Sequence, residues 1–170
     1  VIAVEPESRR VAFTGSRNPV EKHVFVTSLD GGEPKQMTTE PGMHEGIFAP
    51  DFSSWVEYHD SRSRPYSIRL HSPDREIHAA ASIDLPAPDL FSFKNRTGVT
   101  LHGLLYKPAA MPAPLIVAVY GGPHSQTVQD SWTATVDLRC RYLAQQGFAV
   151  IKVDNRGMAR RGLEFEATVA

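Results

Sequence analysis

The stretch Pro114-Leu115-Ile116-Val117-Ala118-Val119-Tyr120-Gly121-Gly122-Pro123-His124 is an apolar run that begins at a proline and stops at a Gly-Gly-Pro turn. A second run, Phe148-Ala149-Val150-Ile151-Lys152-Val153, opens after Gly147 and stops at Asp154-Asn155-Arg156-Gly157. Continuous apolar runs bounded in this way suit β-strands covered on both faces. The residues between them predict a helix that begins after Asp130 or Ser131, either of which can serve as N-cap, and runs to Gln146. Val136, Cys140, Leu143 and Ala144 share its apolar face, Asp137, Arg141 and Gln145 share another, and Gly147 supplies the stop. Strand, helix and strand over about 40 residues form a βαβ unit, from which a parallel sheet follows.

Upstream, Leu90-Phe91-Ser92-Phe93 and Val99-Thr100-Leu101-His102-Gly103-Leu104-Leu105-Tyr106 predict a hairpin across Asn95-Arg96-Thr97-Gly98. That tip spells an N-x-T sequon, a pattern common by chance and read here as an ordinary turn. Ser82 to Asp89, with Pro86 and Pro88, reads as a linker. The residues before it obey different rules: short strands at Arg10 to Thr14, His23 to Leu29, Gly46 to Ala49, Ser54 to His59 and Ser67 to His71. Asp30-Gly31-Gly32 is a hairpin signal. The Arg10 and His23 segments have counterparts at Ser54 and Ser67, an offset of about 44 residues, within the span of a propeller blade. Ile47-Phe48-Ala49-Pro50-Asp51 resembles a turn common between propeller strands. Two units are too few to close a propeller of about 4–8 blades, and pattern alone leaves a small β-sandwich open.

The 170 residues, 41% of them hydrophobic, suffice for one domain or pieces of two. Thirteen acidic and nine basic residues precede Pro86, and six acidic and nine basic follow. Neither half has the clustered basic face that nucleic acid requires. Arg156, Arg160 and Arg161 are followed at once by Glu164 and Glu166, as in a turn with internal ion pairs. Cys140, the single cysteine, excludes an intrachain disulfide and a cysteine-based zinc site, and reads as a buried structural thiol. No apolar run reaches the roughly 18 residues that cross a bilayer, and no signal peptide is visible. Cytoplasmic, periplasmic and secreted settings all stay open.

In an open parallel sheet, ligands gather at the carboxyl ends of strands, here Tyr120-Gly121-Gly122-Pro123-His124 and Asp154-Asn155-Arg156-Gly157. On spacing alone, a tight strand-to-loop turn without chemical consequence accounts for the two glycines. Phosphate-loop signatures are absent, and the histidines lack ligand spacing, so neither a metal site nor a cofactor is expected. His124 reads as a loop histidine. No serine lies in a Gly-x-Ser-x-Gly context; Ser16 and Ser125 both fail the pattern.

Val119-Tyr120-Gly121-Gly122-Pro123, Gln126, Tyr142-Leu143-Ala144-Gln145-Gln146-Gly147 and Asp154-Asn155-Arg156-Gly157 through Glu166 resemble the start of the catalytic domain in the prolyl-oligopeptidase clan of serine peptidases. The likeness is strongest to its dipeptidyl-peptidase-IV branch and covers most of Thr97 to Glu166. It implies a mixed fold: C-terminal β-propeller blades over residues 1–85, then the N-terminal portion of an α/β-hydrolase domain over 86–170. It also implies that Tyr120 donates a hydrogen bond to the oxyanion, and that the Ser, Asp and His of the triad lie outside this chain. Asp154 is then no triad acid, because that acid follows the nucleophile in this fold; it shapes a turn, with Arg156 anchoring neighbouring loops. Met158 departs from the serine common in the family. The implied substrate is a peptide, cut after proline or alanine to release an N-terminal dipeptide, with acylaminoacyl-peptidase-like or oligopeptidase specificity as alternatives. A non-catalytic interaction module and an unrelated α+β domain are the rivals. Strands cut off from sheet neighbours leave exposed edges, so the isolated chain is expected to be marginal, to form homo-oligomers, or to be rescued by interaction between its halves.

Overall fold

A computed structural model describes residues 1–79, 84–122, 125–133 and 136–169. They divide into two compact units: Val1–Ile83 with Asp130–Trp132, and Asp84–Gln129 with Thr133–Ala170.

In the first unit, strands β1 (Ala3–Glu5), β2 (Arg10–Gly15), β3 (His23–Ser28) and β4 (Lys35–Gln36) form one antiparallel sheet in chain order. Strands β5 (Met43–Phe48), β6 (Trp55–Ser61), β7 (Arg64–His71) and β8 (Arg75–Ala79) form a second. The repeat falls where the sheets correspond: β2 matches β6 and β3 matches β7. Short carboxylate-capped turns separate first from second strands. Glu5 accepts the amides of Glu7 and Ser8, each at 2.8 Å, and Asp51 accepts the Ser53 amide at 3.0 Å and its hydroxyl at 2.7 Å. Both sheets are open meanders; neither closes into a propeller or barrel among the described residues.

The second unit holds β9 (Asp89–Lys94), β10 (Thr100–Tyr106), β11 (Leu115–Ala118), helix α1 (Val136–Gln145), β12 (Ala149–Val153) and a short helix α2 (Leu163–Glu166) that runs into a single 3₁₀ turn. The sheet order is β11-β12-β10-β9. β9 and β10 pair as the predicted hairpin, and the Asn95 carboxamide oxygen fixes its tip by accepting the Thr97 amide, the Thr97 hydroxyl and the Val99 amide. β11 and β12 are parallel, with Leu115 opposite Ala149 and Ala118 opposite Lys152. The predicted βαβ unit is therefore present.

Four details depart from expectation. β11 is an edge strand: Leu115, Val117 and Val119 are 61%, 58% and 79% exposed, so it is not covered on both faces. Asp130 and Ser131 do not cap α1, which starts at Val136. They belong to the first unit with Trp132, where the Asp60 carboxylate accepts the Ser131 hydroxyl and the Trp132 amide, both at 2.5 Å. There the Asp130 carboxylate accepts the Arg62 amide at 2.9 Å. The polar stripe of α1 also faces inward: Asp137 and Arg141 are buried beside Cys140 and Ala144, while Val136 is exposed. Asp137 turns in because Lys152, at the centre of β12, meets it at 2.5 Å in a pair sealed from water. Arg141 turns in to donate to the carbonyls of Leu85 and Pro86. Finally, Arg156 anchors nothing by its side chain among the described residues; Arg161 does so instead, donating to the Thr100 carbonyl at 2.6 Å and lying 4.1 Å from the Phe165 ring centre.

Candidate functional site

β11 and β12 run side by side, so their carboxyl ends place Tyr120 and Asp154 at the same end of the sheet. Tyr120 lies two residues past β11, 45% exposed, and its hydroxyl makes no hydrogen bond among the described residues. Its ring rests on Gly122: a Cβ there would sit 2.9 Å from the phenol oxygen and 3.1 Å from Cζ. The missing side chain of Gly122 is thus what lets the ring fold back on its own turn. An uncommitted phenol at a strand end can donate to an oxyanion.

Asp154 has a different task. It is buried, and its carboxylate accepts the Thr127 amide at 2.9 Å, the Thr127 hydroxyl at 2.8 Å and the Val128 amide at 3.1 Å. Its own amide donates to the His102 carbonyl at 3.0 Å. Burial pushes the Asp154 carboxyl above the usual range, and the three hydrogen bonds from Thr127 and Val128 oppose that rise. With its oxygens occupied this way, Asp154 ties the loop after the Gly-Gly turn to the end of β12, a structural role. The Ala159 amide adds a second tie, donating to the Ser125 carbonyl at 3.1 Å. Met158 is fully buried, and Arg160, two residues on, holds a left-handed φ of 70°. His124 lies outside the described residues.

Sequence reasoning buried Cys140 correctly but missed the rest of the cluster between α1 and its sheet. Tyr106 on β10, Asp137, Cys140 and Arg141 on α1, and Lys152 on β12 are all nearly inaccessible. Burial, reinforced by the Asp137 carboxylate, pushes the Tyr106 phenol far up, and burial likewise raises the Cys140 thiol. The available signal was the lone lysine within an otherwise apolar strand. A cleft of about 810 Å³, walled by Pro86, Pro88, Pro112 and Pro114 with Tyr106 and Arg141, lies at the amino ends of β11 and β12. It is at the opposite end of the sheet from Tyr120. Among the described residues, no three His, Cys, Asp or Glu side chains converge as a metal site, and no helix is long and apolar enough to cross a membrane.

No family model matches the chain. It is 30% identical over 187 aligned positions to dipeptidyl peptidase 8 of Mus musculus and 29% identical to that of Homo sapiens, each alignment covering 97% of this chain and 21% of the relative. To a probable dipeptidyl-aminopeptidase B of Neosartorya fischeri it is 27% identical over 175 positions, covering 91% of this chain and 19% of the relative. The chain thus spans about a fifth of the length of the curated relatives it matches. With that identity along nearly its whole length, the chain is a distant homologue of dipeptidyl peptidase 8 and dipeptidyl-aminopeptidase B, which are members of the prolyl-oligopeptidase clan.

Proposed function

We propose that this chain is the part of a serine-type dipeptidyl peptidase that joins its last propeller blades to the opening strands of its α/β-hydrolase domain, with Tyr120 as an oxyanion donor. One observation carries the reading: a phenol with no hydrogen bond among the described residues sits just past the edge strand of a parallel pair, in a chain homologous to dipeptidyl peptidases over 97% of its length. The two four-stranded meanders, related by a repeat of propeller-blade length, support the first part.

In the proposed reaction a serine outside residues 1–170 attacks the scissile carbonyl, and a histidine takes its proton. The carbonyl oxygen becomes an anion, to which the Tyr120 O–H donates. Collapse breaks the C–N bond as the histidine returns its proton to the departing amine, leaving an acyl-enzyme that water hydrolyses to free the serine and the acid. Acyl transfer of this kind uses no cofactor. The substrate class is short peptides, with proline or alanine preceding the cut. Residues 1–170 alone hold no Gly-x-Ser-x-Gly elbow and should not hydrolyse a Gly-Pro chromogenic peptide.

The test extends the protein through the nucleophile and compares it with Tyr120→Phe. Loss of one oxyanion donor should lower kcat by about 100- to 1,000-fold. An unchanged kcat/KM would remove Tyr120 from the reaction, and hydrolysis by residues 1–170 would overturn the division of the site.

A further inference from the structure

Four of the seven histidines converge in the first unit, outside the candidate active site. The His23, His44 and His59 rings form a column, with centroids 5.0 and 4.2 Å apart; the second pair is parallel to within 2°. Glu57 bridges the column to the fourth, accepting from His44 Nδ1 and His71 Nε2, both at 2.6 Å. His44 Nε2 donates to the Glu40 carbonyl at 2.7 Å, and His59 Nε2 to the Pro41 carbonyl at 3.1 Å. The loop before β5 is thus held by histidines of β5 and β6. It packs so closely that a Cβ on Gly42 would sit 2.8 Å from His59 Nε2 and 2.3 Å from the Asp60 carbonyl.

Hydrogen-bond counting restricts where the protons are. A carbonyl only accepts, so His44 Nε2 carries a hydrogen, while His44 Nδ1 faces a carboxylate. The His44–Glu57 pair must then hold one more proton than a neutral ring and an ionised acid provide. Burial pushes Glu57 up, but hydrogen bonds from His44 and His71 outweigh it and hold the carboxyl below the usual carboxylate range. His59 needs only the hydrogen on Nε2 and is satisfied as a neutral ring. Stacked 4.2 Å from the ring that shares a proton with Glu57, it is poorly placed to gain a charge.

We propose that His44, His59 and Glu57 form a proton-operated latch: it fastens the 37–42 loop to β5 and β6 while His59 is neutral, and releases it when the stacked His59 ring takes up a proton. The charged groups facing the latch come from every element around it. They are Glu40 of the loop, 3.7 Å from His59 Nδ1; His23 of β3 with Glu21 beside it; Arg64, Arg69 and His71 of β7; and Glu76 of β8. Arg64 pairs with Glu40 and Glu76, and Arg69 with Asp74, so the remaining acids are already engaged.

The direction follows from two groups. Burial pushes His59 below its ordinary 6.5; His44 adds to this, against the pull of the Pro41 carbonyl and the Glu40 and Glu57 carboxylates. Below 6.5 the opened chain takes up a proton that the closed latch resists, so closure weakens as pH falls. Glu57 works in the same sense: its contribution is full above 4.5 and is lost as pH falls through its depressed folded value.

The experiment uses the full 170-residue chain. Hydrogen exchange over residues 37–46, corrected for intrinsic rates, is compared at about pH 7.5 and 5.5; protection should fall by up to about tenfold, because pH 5.5 lies only one unit below the 6.5 at which the opened ring titrates. His59→Gln keeps a donor for the Pro41 carbonyl but cannot be charged, and should lose most of that dependence; His78→Gln, exposed on β8, should keep it. Ring NMR of the unmodified chain adds a reading that needs no variant: His59 should titrate below 6.5 together with loss of loop protection. Titration of His59 at or above 6.5, or an equal loss of protection in His59→Gln, would overturn the latch.

Discussion

Lys152→Met is the perturbation with the largest expected cost in the second unit. Lys152 and Asp137 are each 2% exposed, and their side chains meet at 2.5 Å. Removing one member leaves the other charge buried without its partner, which typically costs about 3–5 kcal/mol. Folded domains are stable by only about 5–15 kcal/mol, so the substitution should bring this unit close to unfolding. Asp137→Asn should do the same, since the Asn oxygen offers the ammonium an acceptor but no charge. The double variant removes both charges and should cost less than either single change, because a buried pair gains little over neutral groups of similar size. Trp55 and Trp132 both lie in the first unit, so tryptophan fluorescence would miss the effect. The assay is hydrogen exchange of residues 136–153 across a urea series, for all four proteins of the cycle. Single changes that cost under about 1 kcal/mol, or that simply add in the double variant, would show that the pair is solvated and refute the reasoning.

Gly122→Ala should displace the Tyr120 ring, whose hydroxyl would lie 2.9 Å from the new Cβ; in the protein extended through its nucleophile, kcat should fall while KM holds. Cys140, with a thiol raised by burial, should react with a disulfide reagent at pH 8 at least about 100-fold more slowly than in denaturant, checked by release of the chromophore. Asp60→Asn weakens the acceptor for Ser131 and Trp132, and should red-shift fluorescence from buried Trp132 and cost about 1–3 kcal/mol by urea titration.

The local features were legible because local chemistry decides them. Alternation and an Asn-x-x-Gly tip gave the β9–β10 hairpin, and proline and glycine bounded the β11 and β12 runs. The blade-length offset located corresponding strands of two sheets. What escaped was decided by partners far away in sequence. Periodicity places Asp137 and Arg141 outward, but Lys152 and the carbonyls of Leu85 and Pro86 are better partners than water for this geometry. Asp130 and Ser131 have good N-cap chemistry, yet Asp60 and Arg62, about 70 residues earlier, compete for them and win. The histidine column was invisible for the same reason. His44 and His59 pair across β5 and β6, and His23 stacks on them from another sheet. Tyr120 was singled out by resemblance, not by pattern, because spacing alone reads its Gly-Gly as an ordinary turn; the close fit of its ring over Gly122 is visible only in three dimensions.

The three residues Asp130–Trp132 make the first unit discontinuous along the chain. As the polypeptide leaves the ribosome, both meanders can pair soon after β8 emerges, but Asp60 and Arg62 must wait until residue 132 is free of the exit tunnel. Meanwhile the half-buried Asp60 carboxylate lacks its Ser131 and Trp132 donors, so the first unit should pass through an unfinished state during synthesis. Cutting the gene at residue 85 would make that state permanent.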